Sequence, residues 1–97
     1  MDRQIILTYL KQVKPYYERK GFIIEGLFGS YARNEATEES DIDILIEIDK
    51  KTTDIYAKKR SLKEDLENYF HKKVDLARKK YLTPLAKDAI KDDLIYV

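Results

Sequence analysis

The chain has 97 residues, a formal net charge of +1, 43% hydrophobic and 38% charged residues, no cysteine and one histidine. That length predicts one domain over 1–97 with a single modest core, and the near balance of charge gives no general pull toward nucleic acid or a membrane surface. Disulfides and thiolate metal sites are excluded and a His-rich zinc site is disfavoured. No apolar run approaches the ~18 residues of a membrane span. Met1-Asp2-Arg3-Gln4 lacks a signal-peptide pattern, so the cytoplasm is the expected location.

Residues 2–20 carry Ile5, Ile6, Tyr9, Leu10, Val13 and Tyr17 at helical spacing. Pro15 should kink the last turn of that helix, and Gly21 should stop it. Residues 22–28 are short, apolar and β-branched and predict a buried strand. Gly29 ends it, and Ser30 is placed to cap a short helix from Tyr31 to about Asn34. A polar loop over 35–40 follows. From Asp41 to Asp49 the pattern alternates, with Ile42, Ile44, Ile46 and Ile48 on one face and Asp41, Asp43, Leu45, Glu47 and Asp49 on the other. This predicts a second strand.

Residues 54–71 predict a long helix with Ile55, Leu62, Leu66, Tyr69 and Phe70 as its apolar stripe and Thr53 or Asp54 as its cap. Lys72 to Ala77 predicts a third strand with Asp75 opposite Val74 and Leu76. Pro84 suits the first turn of a helix reaching about Lys91, and Leu94 to Val97 forms a terminal strand or apolar tail. The order predicts a compact α/β or α+β domain with helices packed on a small mixed sheet.

The chemistry is concentrated in two short segments. Gly29-Ser30 can offer backbone N–H groups and a hydroxyl to a phosphate. Asp41 and Asp43 begin the alternating strand eleven residues after Ser30. Residues i and i+2 of a strand point the same way, roughly 6.5–7 Å apart, and two carboxylates so placed repel unless a cation lies between them. Asp75 offers a third carboxylate in another apolar strand. If the strands are neighbours, the three converge, and oxygen ligands without His or Cys favour Mg²⁺ or Mn²⁺. The ordinary alternative is a solvated polar face of a half-buried strand. Arg33 has three readings: a surface cation, a partner for a nearby carboxylate, or a phosphate contact. His71 is expected to be solvated at a helix end. The eight tyrosines are expected to pack core edges, and the runs Lys58-Lys59-Arg60 and Arg78-Lys79-Lys80 to be solvated faces.

Gly29-Ser30-Tyr31-Ala32-Arg33 followed by Ser40-Asp41-Ile42-Asp43-Ile44-Leu45 resembles the Gly-Ser-x-Ala-Arg-Gly … Ser-Asp-x-Asp-Leu signature of the DNA polymerase beta nucleotidyltransferase superfamily. The short length and Lys73-Val74-Asp75-Leu76 make the chain similar to the minimal nucleotidyltransferases, over about Gly21 to Val97. The resemblance implies a nucleotidyltransferase fold and two Mg²⁺ ions held by Asp41 and Asp43. It implies that Asp75 is the third carboxylate, polarising the attacking hydroxyl, and that Gly29 and Ser30 hold the β- and γ-phosphates of ATP. Such proteins often act as antitoxins beside a HEPN-domain toxin ribonuclease, so the implied activity is transfer of AMP from ATP to a tyrosine of that partner. Asn34 stands where the signature has Gly, in a position where Asn tolerates left-handed backbone.

A chain of this size has no second domain to bind an acceptor, so another protein is expected to present it. A small-molecule acceptor would require a dimer or extra walls, so a homo- or hetero-oligomer is an open reading. The rival from another class is an antitoxin that neutralises its toxin by contact alone. Direct nucleic-acid binding is disfavoured by the near-zero net charge.

Overall fold

The computed structural model describes all of residues 1–97. Helix α1 (Arg3–Glu18) leads into strand β1 (Phe22–Phe28), a one-turn helix α2 (Gly29–Ala32), strand β2 (Ile42–Ile48), helix α3 (Ile55–Phe70), strand β3 (Val74–Arg78), a 3₁₀ turn (Lys79–Tyr81), helix α4 (Pro84–Asp93) and the short strand β4 (Ile95–Tyr96). The mixed α+β architecture is the expected one. The sheet order is β3-β2-β1-β4, with β2 and β3 parallel and the other pairs antiparallel. The parallel pair uses α3 as its crossover, as parallel neighbours require.

One face of the sheet carries the core. Phe22, Ile24 and Leu27 of β1, the four isoleucines of β2, and Val74 and Leu76 of β3 pack with Ile6, Leu10 and Tyr17 of α1 and Leu62, Leu66 and Phe70 of α3. The buried stripe of α3 is thus narrower than its apolar pattern suggests: Ile55 and Tyr69 are exposed, as is Ile5 on α1. Tyr69 instead stacks on Tyr9, centroids 3.5 Å apart. The core stripe of α1 includes Leu7, and the helix continues one turn beyond Pro15. Asp2 caps α1 by accepting from the Ile5 N–H at 3.0 Å, and Thr83 caps α4 through Ala86 at 3.1 Å. Asp54, by contrast, stands at the head of α3 without a side-chain cap bond.

A β-bulge in β1 decides what the opposite face presents. Ile24 pairs with Ile46, but Gly26 pairs with Leu45 and Phe28 with Asp43. The extra residue shifts the alternation by one, so Leu27 joins the core and Gly26 and Phe28 turn to the face of Asp43. Gly26 is required there: a Cβ would lie 2.3 Å from the Ile95 carbonyl oxygen. Helix α4 crosses this second face, and Leu45 is buried beneath it.

Ser30, Arg78 and several of the tyrosines differ from their expected roles. Ser30 makes no cap; α2 begins at Gly29 with Phe28 in the capping position and no side-chain bond. The helix starts two residues early because Gly29, at φ +76°, already supplies the reversal of the chain. Arg78 is not solvated: its side chain is 9% exposed, 3.9 Å from Glu47 and 5.1 Å from the Tyr81 ring. The tyrosines divide, with Tyr17 and Tyr31 in the core and Tyr56, Tyr81 and Tyr96 exposed.

Candidate active site

The end of β1, the head of β2 and the head of β3 meet at one end of the second face. Asp43 registers with Phe28 on one side and with Asp75 on the other. Parallel partners in register project to the same face, so the two carboxylates are neighbours across the strands. Asp41 lies two residues earlier, just ahead of β2, and is exposed like Asp75, whereas Asp43 is half-buried. Burial first, then the charges of Asp75 and Asp41, push the Asp43 carboxyl up from 3.8 to about 6, with Arg33 offsetting part of the rise.

Gly29 is seated against Asp43. A Cβ on it would fall 2.2 Å from the Asp43 Oδ2, and its φ of +76° is one that side chains avoid. Glycine therefore brings the turn backbone directly to the carboxylate. Ser30 follows in the first turn of α2, with its carbonyl accepting from the Glu35 N–H at 2.8 Å. The turn closes at Asn34, which adopts φ +63° and donates its N–H to the Tyr31 carbonyl at 3.2 Å. Asn thus takes the left-handed conformation expected of it. Arg3 braces the end of α2, donating to the Ala32 carbonyl at 2.9 Å.

Arg33 is engaged by two carboxylates in this arrangement. It donates to Asp93 at 2.6 Å and to Glu35 at 3.2 Å, tying α2 to the end of α4. These two bonds, first to Asp93 and then to Glu35, raise its pKa further against a desolvation that lowers it. This matches the carboxylate-partner reading. Asp93 lies sixty residues on, so no local pattern announces the pair.

The three aspartates share one end of the sheet without closing into a cation cage, as like charges that repel are expected to behave. Their chemistry nonetheless fits a divalent ion. The donors are all carboxylate oxygens, and the pKa of Asp43, raised first by burial and then by the charges of Asp75 and Asp41, records a strain on the ionised form that a cation would relieve. Beside them is an open cleft of about 800 Å³ lined by Asp41 and Asp75 together with Lys63, Glu67, His71, Lys72, Lys73 and Val74. Sequence patterning did not place Lys63 in one cleft with Asp75, because that depends on where α3 docks. His71 is exposed at the end of α3, as expected, in left-handed conformation at φ +55°.

A strand, a glycine turn and a second strand that together present adjacent carboxylates are the makings of a nucleotidyl-transfer domain. The family model described as nucleotidyltransferase domain matches residues 8–97, and the chain belongs to that family. It is 43% identical over 96 residues to a Methanocaldococcus jannaschii protein provisionally named a protein adenylyltransferase, covering 98% of this chain and 93% of that one. It is 33% identical over 93 residues to the protein adenylyltransferase MntA of Thermococcus cleftensis, covering 96% and 89%. A solved structure provisionally described as a minimal nucleotidyltransferase superposes with a TM-score of 0.82 at 28% identity, covering 100% of this chain and 97% of that one. The crystal structure of a toxin–antitoxin with AMP-PNP shares the fold at a TM-score of 0.66 and 20% identity, over 99% of this chain and 72% of that one. This chain is therefore a nucleotidyltransferase-domain protein that resembles the protein adenylyltransferases in sequence and a minimal nucleotidyltransferase in fold.

Proposed function

We propose that this protein transfers AMP from ATP to a tyrosine hydroxyl of a partner HEPN-type toxin and acts as its antitoxin. The observation that carries the reading is the register of Asp43 with Asp75, flanked by Gly29 against the Asp43 carboxylate. The names of the relatives support a protein as acceptor. The toxin–antitoxin complex that carries AMP-PNP supports an adenine nucleotide and a toxin partner.

Each residue has a role in this reading. Gly29 seats the turn backbone against Asp43 and offers its N–H to a phosphate, and Ser30 donates its hydroxyl to a β- or γ-phosphate oxygen. Asp41, Asp43 and Asp75 would hold two Mg²⁺ ions, which supply charge neutralisation for the triphosphate and acidify the acceptor hydroxyl. Asp75 orients that hydroxyl and draws on its proton. The acceptor oxygen bonds to the α-phosphorus, the bond from that phosphorus to the bridging oxygen breaks, and pyrophosphate leaves. Positioning and electrostatics account for most of the rate. The raised pKa of Asp43 adds a requirement: it must be ionised to serve, so activity falls below about pH 6 unless Mg²⁺ lowers that value.

The test is incubation with α-labelled ATP, Mg²⁺ and the toxin encoded beside the gene. Label is expected on a toxin tyrosine and is expected to disappear in Asp41→Asn and Asp43→Asn. If those variants neutralise the toxin as well as the wild type at equal levels, contact alone is the mechanism and transfer is incidental.

A further inference from the structure

We propose that the cleft between the end of α3 and the head of β3 is the acceptor-docking site, and that it selects a polypeptide segment carrying acidic side chains next to the hydroxyl-bearing residue. The inference rests on the transfer reading above and names the chemistry of its second substrate.

Three observations carry it. The first is position. In the sheet order β3-β2-β1, Asp43 stands between the Gly29 turn, which follows β1, and Asp75 on β3. In phosphoryl transfer the attacking and leaving oxygens lie roughly in line on opposite sides of the phosphorus. A leaving pyrophosphate on the Gly29-Ser30 side therefore requires the acceptor to arrive from the Asp75 side, which is where the cleft opens. The second is charge. The cleft is lined by the carboxylates of Asp41, Glu67 and Asp75, while Lys63 and Lys73 are exposed lining residues with no ion-pair partner. Lys72 also lines the cleft, but its ammonium already donates to the Glu38 carbonyl at 2.7 Å.

The third observation concerns how a segment would bind. Glu67 accepts from the Val74 N–H at 3.0 Å, so the first N–H on the outer edge of β3 is occupied. Side chains in the cleft, not strand addition, then make the contact. Two unpaired ammonium groups in the same cleft as Asp41 and Asp75 suit a segment that brings its hydroxyl to Asp75 and its own carboxylates to Lys63 and Lys73. A nucleic-acid strand suits it poorly, because its phosphates would run on to Asp41 and Asp75.

Binding is read by fluorescence anisotropy of labelled tyrosyl peptides, flanked by Glu or by Lys, with Mg²⁺ and a non-hydrolysable ATP analogue present. The Glu-flanked peptide is expected to bind about tenfold more tightly than the Lys-flanked one. The double variant Lys63→Glu/Lys73→Glu is expected to abolish or reverse that preference while leaving affinity for the ATP analogue unchanged. Equal binding of the two peptides, an unchanged preference in the double variant, or a matching loss of ATP-analogue affinity would each overturn the assignment. So would tighter binding of a single-stranded oligonucleotide than of the Glu-flanked peptide. The same peptides with α-labelled ATP separate this inference from the one beneath it. Label on neither peptide nor toxin defeats the transfer reading, whereas equal labelling of both peptides defeats only the docking assignment.

Discussion

In metal-free protein, ionised Asp43 makes the fold less stable at neutral than at mildly acidic pH. Its carboxyl titrates at about 6 instead of 3.8, first through burial and then through Asp75 and Asp41. Between those values the folded chain keeps a proton that the unfolded chain has released, so the unfolding free energy falls as pH rises. The stability associated with neutral Asp43 is complete below 3.8 and is gone once pH has passed about 6. A rise of this size corresponds to about 3 kcal/mol in the absence of screening. Asp43 is only half-buried, and screening by solvent reduces the expected effect to about 1–2 kcal/mol. Asp43→Asn keeps the shape and removes the charge. Urea unfolding in EDTA is expected to show the variant more stable by about 1–2 kcal/mol near pH 7.5, with the gap closing toward about pH 4. Adding Mg²⁺ near neutral pH is expected to stabilise the wild type more than the variant, because the ion binds the folded site. A variant less stable than wild type at both pH values would refute the reasoning, since it would mean that favourable partners hold the Asp43 charge.

Gly29→Ala forces a side chain into φ +76° and places its Cβ 2.2 Å from the Asp43 carboxylate. A loss of about 1–3 kcal/mol in chemical denaturation, together with a drop in adenylyl transfer, is expected. Asn34→Gly relieves a non-glycine residue at φ +63°, so stability should be unchanged or rise by up to about 1 kcal/mol, with transfer to the toxin retained. Tyr17→Phe removes a hydroxyl that donates to Asp65 at 3.0 Å; thermal unfolding should report a loss of about 1 kcal/mol, with transfer unaffected because the bond joins α1 to α3 on the far face of the sheet.

Much of the fold is written in local patterns. The apolar, β-branched run 22–28 matches β1 residue for residue, and the strict alternation after Asp41 marks β2 to within one residue at each end. Period-two and helical stripes are properties of neighbouring residues, so they survive without knowledge of what they pack against. The same holds for Gly29, Asn34, and the Asp41–Asp43 spacing. Where reading stopped short, the reason was long-range. Ile55, Tyr69 and Ile5 look like core residues by hydropathy, yet the packed helices leave all three exposed. Arg78 reads as part of a solvated basic run but lies against Glu47 of the adjacent strand.

What the sequence determines by itself is the set of elements, their faces, and the presence of a phosphate-type turn followed by paired carboxylates, because each follows from spacing along the backbone. What only the tertiary structure decides is how the pieces meet. A single-residue bulge in β1 sets the phase that turns Phe28 toward Asp43, parallel pairing brings Asp75 level with Asp43, and Arg33 is committed to Asp93. Those relations join residues far apart in the chain, and their energies come from burial and electrostatics between elements, which local spacing does not record.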